Sequence, residues 1–418
     1  MKFLHAADLH IDSPLRGLER LEDAPTGLLR GATRRAMENL VALAREERVD
    51  AVLLAGDVYD GDWKDFETAL FFRRQLGRLQ ESGIRVYLVS GNHDAASQIS
   101  RTLSYPENVF VFGTHAPETA PPDFETGFAV HGQGYSRRDV TENLAVGYPA
   151  PVSGVFNIGL LHTALNGRDG HDPYAPCDEK ELAALGYDYW ALGHVHQREV
   201  VSKEPYIVFP GNIQGRHVKE PGPKGCTLVT VRPGHTDVEH RDLDVVRWAQ
   251  VAVDAGGAAD LDQVCRLAQT AIERARSEAA GRPLAARVTI TGRSQAHAEL
   301  WRERERLAAE VRGIAQGFGD VWVEKVRPAT SPPQLGTDPS ATGGGTGELV
   351  EGILRTAREL RADEDVLREA IKGSELWNKL PPEARGRDRL DIADPQWCGQ
   401  LLDEAAALLT AMLEERTG

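Results

Sequence analysis

Val86-Tyr87-Leu88-Val89-Ser90-Gly91-Asn92-His93-Asp94 decides the fold. An aliphatic run stops at a glycine, and ligand-type side chains follow at once. A short β-branched and aliphatic run bounded by glycine reads as a buried strand, so Asn92 and His93 stand at its carboxyl end. The layout recurs along the chain. Lys2-Phe3-Leu4-His5-Ala6-Ala7 leads to Asp8-Leu9-His10, and Ala51-Val52-Leu53-Leu54-Ala55 leads to Gly56-Asp57. Ile158-Gly159-Leu160-Leu161 leads to His162, and Tyr189-Trp190-Ala191-Leu192 leads to Gly193-His194-Val195-His196.

Helical stretches separate the early strands. Arg34 to Glu47 has Met37, Leu40, Val41 and Ala44 at helical spacing, and Phe66 to Glu81 has Leu70, Phe71 and Leu79 among charges. Strand and helix in alternation give a layered α/β domain. Tyr206-Ile207-Val208-Phe209 and Thr227-Leu228-Val229-Thr230-Val231 read as strands without intervening helices. The expected fold of residues 1–245 is a β-sandwich flanked by helices.

A smaller α+β module is expected over 246–327. It has strands at Gln250–Val253, Arg287–Thr291 and Asp320–Val326, and helices at Leu261–Ala280 and Ala296–Gly313. Residues 328–347 are rich in Pro, Gly, Ser and Thr and read as a linker. The glycine run at 343–345 lacks the Lys-Ser/Thr ending of a phosphate-binding P-loop. Residues 348–418 read as a helical tail, with a last helix from about Gln396 to Arg416.

The chain has 418 residues and a net charge of −15, which argues against a free-standing DNA-coating protein. The acidity is uneven: residues 248–327 carry 12 Lys and Arg against 11 Asp and Glu, whereas residues 1–247 carry 26 against 35. The four cysteines (Cys177, Cys226, Cys265, Cys398) lie far apart, which excludes a disulfide scaffold or a cysteine-built zinc site and fits a cytoplasmic protein. No apolar run approaches a membrane span and the start has no signal-peptide layout, so no membrane association is expected.

The ligand-type residues at the five strand ends are Asp8, His10, Asp57, Asn92, His162, His194 and His196. Asp8 and His10, like His194 and His196, have the i, i+2 spacing that points both side chains of an extended chain to one side. Sites in α/β sheets form beyond the carboxyl ends of strands. Oxygen and imidazole donors without sulfur suit manganese, iron or zinc. Two divalent cations bridged by a carboxylate fit phosphoester hydrolysis by in-line attack of water. His93 is the candidate to protonate the leaving alkoxide, with Asp94 as the carboxylate that orients it. His5 reads as a core residue and His131 as a structural residue in a turn-rich stretch. Arg216, His217 and Lys224 lie in a Gly/Pro-rich loop, suited either to phosphate contact or to loop structure. No residue stands out as a DNA contact.

The DxH, GD, GNHD, single-His and GHxH order resembles the calcineurin-like metallophosphoesterases. Gly56-Asp57-Val58-Tyr59-Asp60-Gly61, Gly91-Asn92-His93-Asp94, Phe209-Pro210-Gly211-Asn212-Ile213-Gln214-Gly215-Arg216-His217 and Lys224-Gly225-Cys226 narrow it. They resemble the SbcD family of DNA repair exonucleases, in its YhaO-like branch. The resemblance implies one metal on Asp8, His10, Asp57 and His196, and a second on Asp57, Asn92, His162 and His194, with His93 catalytic. It implies two divalent ions, Mn2+ foremost, and DNA as substrate in double-strand-break repair or processing. It further implies a capping domain that faces DNA, a tail that binds an SbcC-like coiled-coil ATPase, and a homodimer. The chain departs from the family at Asp60, where well-studied members carry a second His; this puts exonuclease activity in question. Two other readings compete: a phosphatase or phosphodiesterase acting on a small phosphorylated metabolite, and a non-enzymatic metal-bound scaffold.

Overall fold

The structure is a computed structural model that describes residues 1–18, 27, 31–60, 66–96, 104–165, 174–333, 346–381 and 390–415. The chain divides into two units, Met1–Ala249 with Ala279–Ala285, and Gln250–Glu278 with Ala286–Gly418.

The first unit holds two six-stranded sheets. In one, β1 (Lys2–Ala6), β2 (Ala51–Ala55), β3 (Arg85–Val89) and β4 (Val109–Val111) run parallel. β11 (Gly225–Arg232) and β12 (His235–Asp242) extend its other edge antiparallel, in the order β12-β11-β1-β2-β3-β4. The second sheet has the order β5-β6-β7-β8-β10-β9, from β5 (Glu118–Thr119), β6 (Phe128–Gln133), β7 (Phe156–His162), β8 (Tyr189–Gly193), β9 (Glu199–Lys203) and β10 (Tyr206–Phe209). Its four central strands are parallel.

The two-residue period of a strand sorts the core. Along β1, Phe3 joins Leu53, Val89, Val130, Leu160 and Val229 in the layer shared by the sheets. Its neighbours Leu4 and Ala6 pack outward with Met37, Leu40 and Val41 of α1 (Ala32–Glu46) and with Phe72, Leu76 and Leu79 of α2 (Phe66–Gln80). On the outer face of the second sheet, Leu161, Trp190, Leu192 and Phe209 pack with Leu182 of α4 (Glu179–Ala184). This is the expected sandwich flanked by helices. Because the central strands of each sheet are parallel, their carboxyl ends come out together.

Some elements differ from expectation. His131 lies in the fully buried strand β6, not in a turn. Its two glycine neighbourhoods mimic turn signals, but Gly132 is there because a Cβ would collide with the Phe112 ring, 2.7 Å away. Strand β12 was not legible, because its polar HTDVEHRD sequence lies half exposed at a sheet edge.

The second unit has a three-stranded sheet in the order β13-β14-β15, from β13 (Arg247–Asp254), β14 (Leu284–Thr291) and β15 (Val321–Pro328). β13 and β14 each begin in the first unit. Helix α5 (Leu261–Glu278) buries Val264, Ala268 and Ile272. The expected helix over 296–313 is two helices, α6 (His297–Arg302) and α7 (Arg304–Gln316), broken at Glu303 with φ −100° and ψ 31°. Neither Gly nor Pro marks that break. Four helices follow among the described residues: α8 (Thr346–Ala362), α9 (Glu364–Gly373), α10 (Glu375–Lys379) and α11 (Pro395–Glu415). α11 packs on α6 and α8. Arg327 donates to Glu404 at 2.7 Å, and the Trp377 and Trp397 rings lie 6.3 Å apart. Of the expected linker over 328–347, residues 334–345, with the glycine run, lie outside the described residues. No helix among the described residues is long and apolar enough to cross a membrane.

Candidate metal centre

The loops that leave β1, β2, β3 and β8, with the last residue of β7, meet at one end of the sandwich. Backbone bonds tie the first two together: Asp8 N donates to Gly56 O at 3.0 Å, His10 N to Asp57 O at 3.0 Å and Ile11 N to Val58 O at 2.9 Å. Asp8, His10, Asp57 and His194 all have positive φ, at 51°, 40°, 55° and 101°. Each costs free energy for a residue with a Cβ, and such strain gathers at functional sites. The glycines in GNHD and GHxH have a steric cause. A Cβ on Gly91 would overlap the Asp57 carboxylate, and one on Gly193 would overlap the Ala55 carbonyl.

The side chains converge. His10 Nε2 and His162 Nε2 lie 3.9 and 3.6 Å from Asp57 Oδ2. His196 Nε2 lies 4.0 Å from Asp8 Oδ1 and 3.3 Å from His10 Nε2. Asn92 Oδ1 is 3.0 Å from His162 Nε2. Asp8, His10 and His196 form one group able to hold a cation, and Asp8, Asp57 and His162 form another. His194 stands beside them, its ring 5.2 Å from that of His162 and its N–H donating to Asp8 Oδ2 at 3.1 Å.

The electrostatics fit divalent cations. Burial, then the Asp57 charge, pushes the Asp8 carboxyl well above the usual range, and burial also raises Asp57. Burial pushes His162 down to about 3 and holds His10 well below its ordinary value. Two buried carboxylates therefore face neutral imidazoles with lone pairs to give, and two imidazole nitrogens face each other at 3.3 Å. Cations placed among them would relieve both problems.

His93 is the second residue of the short helix α3 (Asn92–Ala96), and its backbone N–H donates to Asp57 Oδ1 at 2.9 Å. Its side chain is 29% exposed, whereas Asp57 is 3% exposed, so His93 stands at the mouth of the cluster. Asp94 does not take the place expected of it. Its oxygens accept Tyr59 N and Gly91 N, both at 3.0 Å, and so brace the GNHD turn. Burial, with the Asp57 charge, raises its pKa to about 7. The carboxylate beside His93 is Asp60, whose Oδ1 lies 3.3 Å from His93 Nδ1 and 3.5 Å from His10 Nδ1. Asp60 also accepts from Ser13 Oγ at 3.0 Å and lies 3.7 Å from Arg216. Burial alone would raise its pKa, but the His10 contact and the charges of His10, Arg216 and His93 hold it well below the carboxylate range.

The 210–224 loop separates its residues. Lys224 is buried and donates to His196 O at 2.8 Å, a structural bond. Arg216 lies at the cluster edge, 3.4 Å from both Ser13 Oγ and His196 Nδ1. His217 is about a third exposed and lies 3.5 Å from Glu220. Glu220, which no motif singled out, accepts from His196 Nδ1 at 2.7 Å. His5 is core, as expected: its nitrogens meet Tyr189 Oη and Leu192 O, both at 3.0 Å. His131 bonds Thr119 and Asn157 and stacks on Tyr187.

Residues 1–198 match the sequence profile of the calcineurin-like phosphoesterases, and residues 248–331 match that of the middle domain of metallophosphoesterase YhaO. The uncharacterized metallophosphoesterase YhaO of Bacillus subtilis (strain 168) is 36% identical over 296 residues, covering 70% of this chain and 72% of its own. Among solved structures, a dimetal phosphatase from Danio rerio is 14% identical, with a TM-score of 0.36, covering 58% of this chain and 96% of its own. The TT1561 protein of Thermus thermophilus is 16% identical, with a TM-score of 0.31, covering 57% and 98%. With its strand-end cluster of carboxylates and imidazoles, the chain belongs to the calcineurin-like metallophosphoesterases and, within them, to the YhaO-like family.

Proposed function

We propose that this phosphoester hydrolase cleaves phosphodiester bonds in DNA, with manganese as its metal and an SbcC-like coiled-coil ATPase as its partner. The observation that carries the reading is the placement of His93, exposed at the mouth of a buried donor cluster and backed by Asp60. Bound divalent cations would supply Lewis acidity and a nucleophilic water at neutral pH. Asp8, His10, Asp57 and His196 would hold one cation, and Asp57, Asn92, His162 and His194 the other.

The remaining roles belong to the chain's own groups. With Nδ1 against Asp60, His93 keeps Nε2 for the leaving oxygen, to which it delivers a proton. Asp60 fixes the ring and balances its charge. Arg216, near Asp60 and Glu220, offsets carboxylate charge at the cluster edge. Asp60 is therefore not a bare negative charge facing a phosphate, which supports the phosphodiester reading. The YhaO-type middle module and the helices after it favour a macromolecular substrate over a small metabolite, which needs neither.

The test is purified protein with manganese, given end-labelled duplex DNA and a single-stranded circle beside His93→Ala. Cleavage that falls by ~10²–10⁴ in the variant supports the reading. Intact DNA alongside hydrolysis of bis-p-nitrophenyl phosphate, with the ATPase partner present, would transfer the assignment to a small substrate.

A further inference from the structure

We propose that Glu220 is a positioning residue for the metal centre: its carboxylate fixes the His196 imidazole for coordination and makes the Asp8, His10 and His196 position the tighter of two unequal cation positions. The inference rests on the metal-centre reading above.

Glu220 is 5% exposed. Its Oε1 lies 2.7 Å from His196 Nδ1, short enough for a charge-assisted bond. Its Oε2 accepts from Arg216 N at 2.7 Å and from Asn212 Nδ2 at 2.9 Å. Asn212 in turn donates to Gln214 O at 2.9 Å. The carboxylate is thus clamped by the loop on one oxygen and turns the other to the imidazole. A proton held on Nδ1 puts the lone pair on Nε2, the nitrogen turned to Asp8 and His10.

His162, in the other donor group, is held differently. His162 Nδ1 bonds the neutral carbonyl of Ala55 at 2.8 Å. A carboxylate behind an imidazole raises its basicity toward a cation more than a peptide carbonyl does, and orients it more firmly. His196 is therefore backed by a hydrogen-bonded carboxylate, and His162 by a peptide carbonyl.

The experiment is a manganese titration of metal-free, full-length protein, followed by calorimetry and by the manganese electron paramagnetic resonance signal. Wild type takes up two equivalents in separable steps. Glu220→Gln weakens the tighter step by about 10–100-fold and leaves the weaker step alone. His217→Ala removes another group beside the Glu220 carboxylate without touching the His196 bond, and leaves both steps unchanged. Equal weakening of both steps in Glu220→Gln, or none, overturns the inference. A second readout needs no variant: nitrogen-15 spectra of metal-free wild type show His196 as the Nδ1–H tautomer, and the Nε2–H tautomer there overturns the inference even if Glu220→Gln does not fold. Wild type that takes up no manganese would instead remove the metal-centre reading itself.

Discussion

Buried histidines occur in two regions of the first unit, and they are wired differently. Inside the sheets, His5 and His131 each meet a partner at both nitrogens, and every partner is uncharged: Tyr189 and Leu192 O for one, Thr119 and Asn157 for the other. At the strand ends, His10 Nε2 faces the Nε2 of His196, and His162 Nε2 faces two acceptors, Asn92 Oδ1 at 3.0 Å and Asp57 Oδ2 at 3.6 Å. Burial lowers the pKa of both kinds, to about 3 for His5 and for His162 alike. Burial and pKa do not separate scaffold from site. What separates them is whether the proton-free nitrogen meets a hydrogen-bond donor.

The largest break in that comparison is expected at Asp57, the carboxylate between His10 and His162. Asp57→Ala should lower hydrolysis of bis-p-nitrophenyl phosphate by ~10⁴ or more, since metal-borne charge stabilisation is worth several kcal/mol. His131→Leu, equally buried, should change the rate less than about threefold in the protein that remains folded. Steady-state rates of the two variants check this, and a large loss of kcat in His131→Leu would erase the distinction.

Metal removal probes the same contrast through stability. Manganese at about 100 times its Kd should stabilise the wild-type protein by about 2.7 kcal/mol over the chelator-treated form. For a unit of this size that amounts to ~5–10 °C in melting temperature. The increment should vanish in Asp57→Ala and persist in His131→Leu, as read by calorimetric melting with and without chelator.

Acid gives the smallest effect. His5 titrates near 6.5 when unfolded and about 3 when folded, so the unfolded chain takes its proton first. Its contribution is present above pH 6.5 and is lost as the pH falls toward 3. At pH 5 the loss is roughly 2 kcal/mol. His5→Gln should therefore lose about that much less stability than wild type between pH 7 and pH 5, in urea unfolding with chelator present. Equal losses would mean that the His5 proton is not excluded by the fold.

The ligand cluster was legible because parallel strands put their carboxyl ends together, and short apolar runs followed by Gly, Asp or His mark those ends. Residues one to three places beyond a strand cannot stray far, so Asp8, Asp57, Asn92 and His194 arrive at one place. The partners behind them carried no such mark. Asp94 adjoins His93 in sequence and was the natural choice to orient it, yet a helix turn aims neighbouring side chains apart, and Asp94 went to backbone donors instead. Asp60 reached His93 from a different strand end.

The amino-acid sequence by itself determined the sandwich, the ends of its strands and the donor types gathered there, because strand periodicity and glycine placement are local properties. The tertiary structure decided which carboxylate serves which imidazole. Glu220 and His196 are 24 positions apart and meet only because the 210–224 loop folds back under the cluster. That pairing depends on distances of a few ångströms between separate segments, and no spacing along the chain encodes them.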